Sequence, residues 1–99
     1  MMTINKRQTD SEMLLELSGR LDTTTAPELK AEINSIPDGV SHLTLDFSGL
    51  EYLSSAGLRV LLMAQKKMAP LSGMTVKNVN ETIMEVFQIT GFSDILTIE

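Results

Sequence analysis

Leu45-Asp46-Phe47-Ser48-Gly49-Leu50-Glu51-Tyr52-Leu53-Ser54-Ser55-Ala56-Gly57-Leu58 is the stretch whose reading decides the fold. His42 to Phe47 reads as a compact strand, Ser48 to Leu53 as a loop, and Leu58 to Met68 as a helix that begins at the two serines. A strand-to-helix turn of this kind lies at the carboxyl edge of a parallel strand, where open α/β sheets place their functional groups. The helix start adds free N–H groups and a partial positive charge. On spacing alone Ser54 and Ser55 have two readings. One is helix capping, for which serine is among the preferred residues. The other is a switch: a phosphate would add roughly −1.5 to −2 charge and three acceptor oxygens, altering what docks there without unfolding the domain.

Working outward, Met13-Leu14-Leu15-Glu16-Leu17 is a short apolar run closed by Ser18-Gly19, which reads as a strand ending at a turn. Thr3 to Thr9 is a more polar strand, and Asp10-Ser11 between the two suits a hairpin. Asp22-Thr23-Thr24-Thr25 offers capping oxygens ahead of Ala26-Pro27. A helix is therefore expected from about Thr25 to Ser35, ended by Pro37-Asp38-Gly39. Past the central stretch, Ala69 to Gly73 breaks the second helix and Met74 to Val79 reads as a strand. Asn80 caps a third helix with Ile83, Val86 and Phe87 on one face; Thr90-Gly91 stops it, and Ile95 to Ile98 is a last strand. The order β-β-α-β-α-β-α-β predicts an α/β fold: a mixed, mostly parallel sheet with right-handed crossovers and helices on at least one face. One domain spanning residues 1–99 is expected.

Eight Lys plus Arg against 13 Asp plus Glu leave a net charge of −5, which disfavours nucleic acid and anionic membranes and favours a protein partner. The absence of Cys and the single His exclude thiolate and multi-histidine metal sites. No glycine-rich phosphate loop points to a cofactor. No stretch approaches the ~18 apolar residues that a membrane span requires, and Met1 to Arg7 lacks the apolar core of a signal peptide. A cytoplasmic protein without membrane insertion is expected.

Within the second helix, Leu58, Leu61, Leu62, Gln65 and Met68 define an inward stripe, which leaves Val60 and Met63 off it near Arg59 and Lys67. Val60 and Met63 then either form exposed apolar contacts or lie under a neighbouring helix. Arg59 and Lys66 either meet acidic groups on a partner or are solvated. Asp46 reads as a local turn acceptor, and His42 as a surface residue without a motif.

Gly19-Arg20-Leu21-Asp22, Leu45-Asp46-Phe47-Ser48-Gly49-Leu50 and Tyr52-Leu53-Ser54-Ser55-Ala56-Gly57-Leu58, in this order and at these separations, resemble the STAS domain of bacterial anti-sigma factor antagonists. The resemblance covers essentially the whole chain, including Ile89-Thr90-Gly91-Phe92. It implies a partner-switching protein with no catalytic residue and no cofactor. Unmodified, such a protein binds an anti-sigma factor that is also an ATP-dependent serine kinase, freeing a sigma factor. Phosphorylation releases it, and a metal-dependent serine phosphatase resets it.

By the same resemblance Ser55 is the phosphoacceptor, Ser54 its rival, and Asp22 lies beside it in the kinase contact. Thr23, Ser54, Ala56, Gly57, Arg59, Val60 and Met63 complete the expected partner surface. Ser54 stands where many members carry Asp, and Ala56 where many carry a second Ser. These departures keep a second reading open: a non-phosphorylated STAS scaffold subunit of a signalling or transporter-associated complex. A hydrolase with Ser55 as nucleophile would need an activating base, for which His42 is the one histidine available.

Overall fold

The computed structural model describes residues 1–99. Its elements are β1 (Met2–Gln8), β2 (Glu12–Leu21), α1 (Ala26–Asn34), β3 (His42–Leu53), α2 (Ser55–Met68), β4 (Met74–Lys77), α3 (Glu81–Thr90), a 3-10 turn (Phe92–Asp94) and β5 (Thr97–Ile98). This is the order expected from the sequence. The five strands lie in the sheet in chain order; β1 is antiparallel to β2 and every other pair is parallel. The Asp10-Ser11 hairpin closes through the Thr9 N–H, which donates to Glu12 O at 2.9 Å.

Because each β-α-β unit steps to the next strand in the same direction, crossovers of one hand bring all three helices to one face of the sheet. The burial pattern agrees. Met13, Leu15 and Leu17 of β2, Leu43, Leu45 and Phe47 of β3, and Met74 and Val76 of β4 are buried beneath the helices. On the opposite face the alternate residues Leu14, Glu16, Thr44 and Lys77 keep part of their surface in water. The Phe47 and Phe87 rings, with centroids 6.3 Å apart and tilted 38°, fasten α3 to the sheet.

Two segments depart from the sequence reading. Ser18-Gly19 does not end β2, and Ser48 to Leu53 is no loop: both strands continue past these residues and pair, Gly19 with Leu50 and Leu21 with Leu53. The pairing survives through register shifts at Glu16/Ser18 and Gly19/Arg20. Gly19 makes one of them possible, since its φ is +93° and a Cβ would run into the Met1 carbonyl oxygen. Leu21, Leu50 and Leu53, all buried, supply the apolar contact that carries the strands onward. At the far edge β5 is shorter than predicted, Thr97–Ile98, because the Ile95 and Leu96 N–H groups both donate back to Phe92 O, at 3.0 and 2.8 Å, and hold these residues in a turn.

The inward stripe of α2 is also rotated from the expected one. Its buried residues are Gly57, Leu58, Val60, Leu61, Ala64 and Met68, so the centre runs along Gly57, Leu61, Ala64 and Met68. Val60 is therefore core, not an exposed contact, while Met63 and Leu62 are half-buried. Val60 sits only 20° from Lys67 at 100° per residue. Lys67 Nζ donates to Ile33 O of α1 at 3.0 Å, so α1 covers this flank of α2. The same bond supplies a positive charge to the α1 C-terminus, which has no basic residue in its own last turn.

Candidate functional site

At the carboxyl edge of the sheet β2 runs into the Asp22 loop and β3 runs into α2. The Ser54 N–H donates to Leu21 O at 2.9 Å and locks the two together. Ser54 is the N-cap of α2: its extended backbone lets Oγ accept from the Gly57 N–H at 3.3 Å, while its carbonyl accepts from the Leu58 N–H at 3.0 Å. Ser54 is thus half-buried and committed to structure. Ser55, the first helical residue, is exposed and its hydroxyl makes no hydrogen bond. Gly57 fixes how closely this turn sits on the sheet, because a Cβ there would lie 2.7 Å from Leu53 Cδ1 and 2.8 Å from Leu21 Cγ.

Asp22 is the most elaborately held side chain of this edge. Its Oδ1 accepts from the Thr24 hydroxyl at 2.7 Å, the Thr24 N–H at 3.0 Å and the Thr25 N–H at 3.1 Å. The Thr24 hydroxyl is the largest influence on the carboxyl, whose pKa is lowered to about 2; desolvation opposes it, and the Thr25 and Thr24 amides reinforce it. Oδ2 faces Arg20, whose Nε lies 3.7 Å away and whose guanidinium stacks 4.1 Å over the Tyr52 ring. The Thr25 hydroxyl donates to Arg20 O at 2.7 Å and binds the loop back onto β2. The structure thus brings Asp22, Ser54, Ser55 and Gly57 to one edge, with Thr23 exposed on the loop, Ala56 half-buried and Arg59 exposed on α2. Val60 faces away from it, into the core. The Arg20–Tyr52 pair, unremarked in the sequence beyond its motif position, joins this surface through the register match of Arg20 with Tyr52.

The other polar residues act locally. Asp46 Oδ1 accepts from the Ser48 N–H at 2.9 Å and the Asn78 amide at 3.0 Å. Burial would raise its pKa, but the Asn78 and Ser48 donors and nearby Lys77 outweigh that and lower it. His42 Nδ1 lies 3.0 Å from Ser72 O and Nε2 3.2 Å from Thr75 Oγ1, so both ring nitrogens are engaged in tying β3 to β4. His42 opens β3 and Ser55 follows its end, so the two lie at opposite ends of a twelve-residue strand. That separation removes the Ser–His hydrolase reading. A shallow hollow of about 360 Å³ lies on the helix-free face, lined by residues such as Arg7, Glu12, Thr44 and Lys77. None of its lining comes from the serine edge. No three His, Cys, Asp or Glu side chains converge on a point, and no helix is long and apolar enough to cross a membrane.

The class defined by this geometry is a small α/β module with a one-sided helical layer, displaying a free serine hydroxyl and an ionised loop aspartate at the carboxyl edge of its sheet. Residues 4–97 match the family described as "Mlab, STAS domain", and the chain belongs to the STAS domain family. It is 31% identical over 99 residues to BtrV of Bordetella bronchiseptica, covering 98% of this chain and 85% of that protein. To the anti-sigma-B factor antagonist of Listeria monocytogenes it is 30% identical, covering 97% and 85%. The crystal structure of an anti-sigma factor antagonist from Mycobacterium paratuberculosis superposes with a TM-score of 0.88 at 25% identity, over 99% of this chain and 85% of that one.

Proposed function

We propose that this protein is an anti-sigma factor antagonist: a cytoplasmic binding module, not an enzyme, whose docking surface is switched by phosphorylation of Ser55. Unmodified, it binds an anti-sigma factor serine kinase and frees a sigma factor; phosphorylated, it dissociates until a metal-dependent serine phosphatase restores it. Two observations support the reading. Relatives at about a third identity and over nearly full length carry the antagonist name. The single observation that carries the site is the division of labour between the serines: Ser54 is consumed as the N-cap, and Ser55 is left exposed and unbonded one residue on. A modification at Ser55 leaves the cap intact, so the fold persists while the surface changes charge.

Intact-mass and peptide mass spectrometry of the protein recovered from its native cells, with and without phosphatase treatment, tests this. One phosphate on Ser55 is expected. Phosphate confined to Ser54 overturns the Ser55 assignment in favour of its rival; none in any growth condition transfers the weight to a non-phosphorylated STAS scaffold subunit.

A further inference from the structure

Arg59 follows Ser55 by four residues on α2, and at 100° per residue the two stand 40° apart on its exposed side. Side chains at this spacing are neighbours, and an acid preceding a base by four is the favoured order. Arg59 has no rival for this contact. Its other neighbours one turn away are Ala56, Leu62 and Met63, and α2 contains no acidic residue. Of the three arginines, Arg7 pairs with Glu16 at 3.4 Å and Arg20 with Asp22 at 3.7 Å, whereas Arg59 forms no ion pair. Arg20 is further held by its stack on Tyr52. Asp22, on the adjoining loop, is an anion and offers a phosphate nothing.

We propose that Arg59 is the built-in counter-charge of phosphorylated Ser55, the guanidinium closing on the phosphate through charge-assisted hydrogen bonds within one turn of α2. Modification then does two things to the docking surface: it adds negative charge and withdraws the one unpaired guanidinium beside it. An acidic group on the partner that faces Arg59 in the unmodified state loses its contact and meets the phosphate. The inference rests on Ser55 being the acceptor, but its test does not depend on a kinase.

The experiment uses the full chain with phosphoserine installed genetically at position 55, alone and combined with Arg59→Gln or Arg20→Gln. Both arginines are exposed, and amide spectra verify that the fold is kept. The second ionisation of the phosphate, ordinarily near 6, is followed by phosphorus NMR; Arg59→Gln is expected to raise it by about half a unit at low salt, and Arg20→Gln to leave it in place. In parallel, phenylglyoxal modification is followed residue by residue. Arg59 is expected to react severalfold more slowly in the phosphoprotein than in the unmodified chain, with Arg7 and Arg20 unchanged as internal references. A titration indifferent to Arg59→Gln, a titration that moves with Arg20→Gln instead, or equal Arg59 reactivity in both proteins overturns the proposal.

Discussion

The Asp22 carboxylate is drawn into its loop by three donors, the Thr24 hydroxyl and the Thr24 and Thr25 amides, and this has a consequence for stability. Its pKa falls from 3.8 to about 2 on folding. A depressed folded value contributes stability above the unfolded pKa and loses it as pH falls through the folded one. The effect is thus complete above about pH 4 and vanishes towards pH 2. Asp22→Asn should flatten the fall in denaturation midpoint across that window; an unchanged slope between pH 5 and 2 would show that Asp22 is not its source. Gly57 gives a second residue-level prediction. Alanine there gains up to about 1 kcal/mol of helix propensity, but its Cβ must displace Leu21 and Leu53. Overpacking costs about 1–3 kcal/mol, so a net loss of about 1 kcal/mol is expected, read as a Tm lowered by about 4–8 °C. The family resemblance marks Ser54 as the cap and puts Ser55 in the first turn, and the structure has that arrangement; spacing by itself leaves open which one caps. That is decided by the Ser54 N–H bond to Leu21 O, a contact between residues far apart in the chain.

For whole elements, the legible features were those written in local chemistry. Asn80 caps α3 by accepting the Ile83 N–H at 2.8 Å, and Gly91 ends it with φ +82°. Both follow from residue type and position. Large apolar side chains do not mark the inward stripe of α2, because the closest approach to the sheet uses Gly57 and Ala64, which have little apolar mass. The strand extensions are hidden for a related reason: Ser18-Gly19 and Ser48-Gly49 look like turn residues, and only the pairing of β2 with β3 makes these segments bulged strand. The corrected helix face can be tested directly. Val60→Ala should cost about 2 kcal/mol as a buried truncation, and Leu62→Ala less than about 1 kcal/mol despite removing more carbon. Urea titrations of the two variants check the order; a larger loss at Leu62 would restore the original stripe.

For the molecule as a whole, the one-sided helical layer makes the sheet unequal along its width. β2 and β3 are flanked by strands on both sides and lined by Leu15, Leu17, Leu43 and Leu45, all buried. β5 is a two-residue edge, registered only through Thr75 with Thr97 and Val76 with Ile98. One further backbone bond, from the Glu99 N–H to Val76 O at 2.9 Å, extends it. Exchange of buried central amides requires opening most of the core, whereas release of this edge exposes little beyond Leu96 and Ile98. The amides of Leu15 and Leu45 should therefore exchange with the free energy of global unfolding. Those that bond β5 to β4 should exchange at least tenfold faster, corresponding to ~1.4 kcal/mol or more of lower protection. Native-state hydrogen exchange followed by NMR measures both. Equal protection at β5 and β3 would mean that the edge unfolds only with the core, and that the short strand is fastened by more than its two registered pairs.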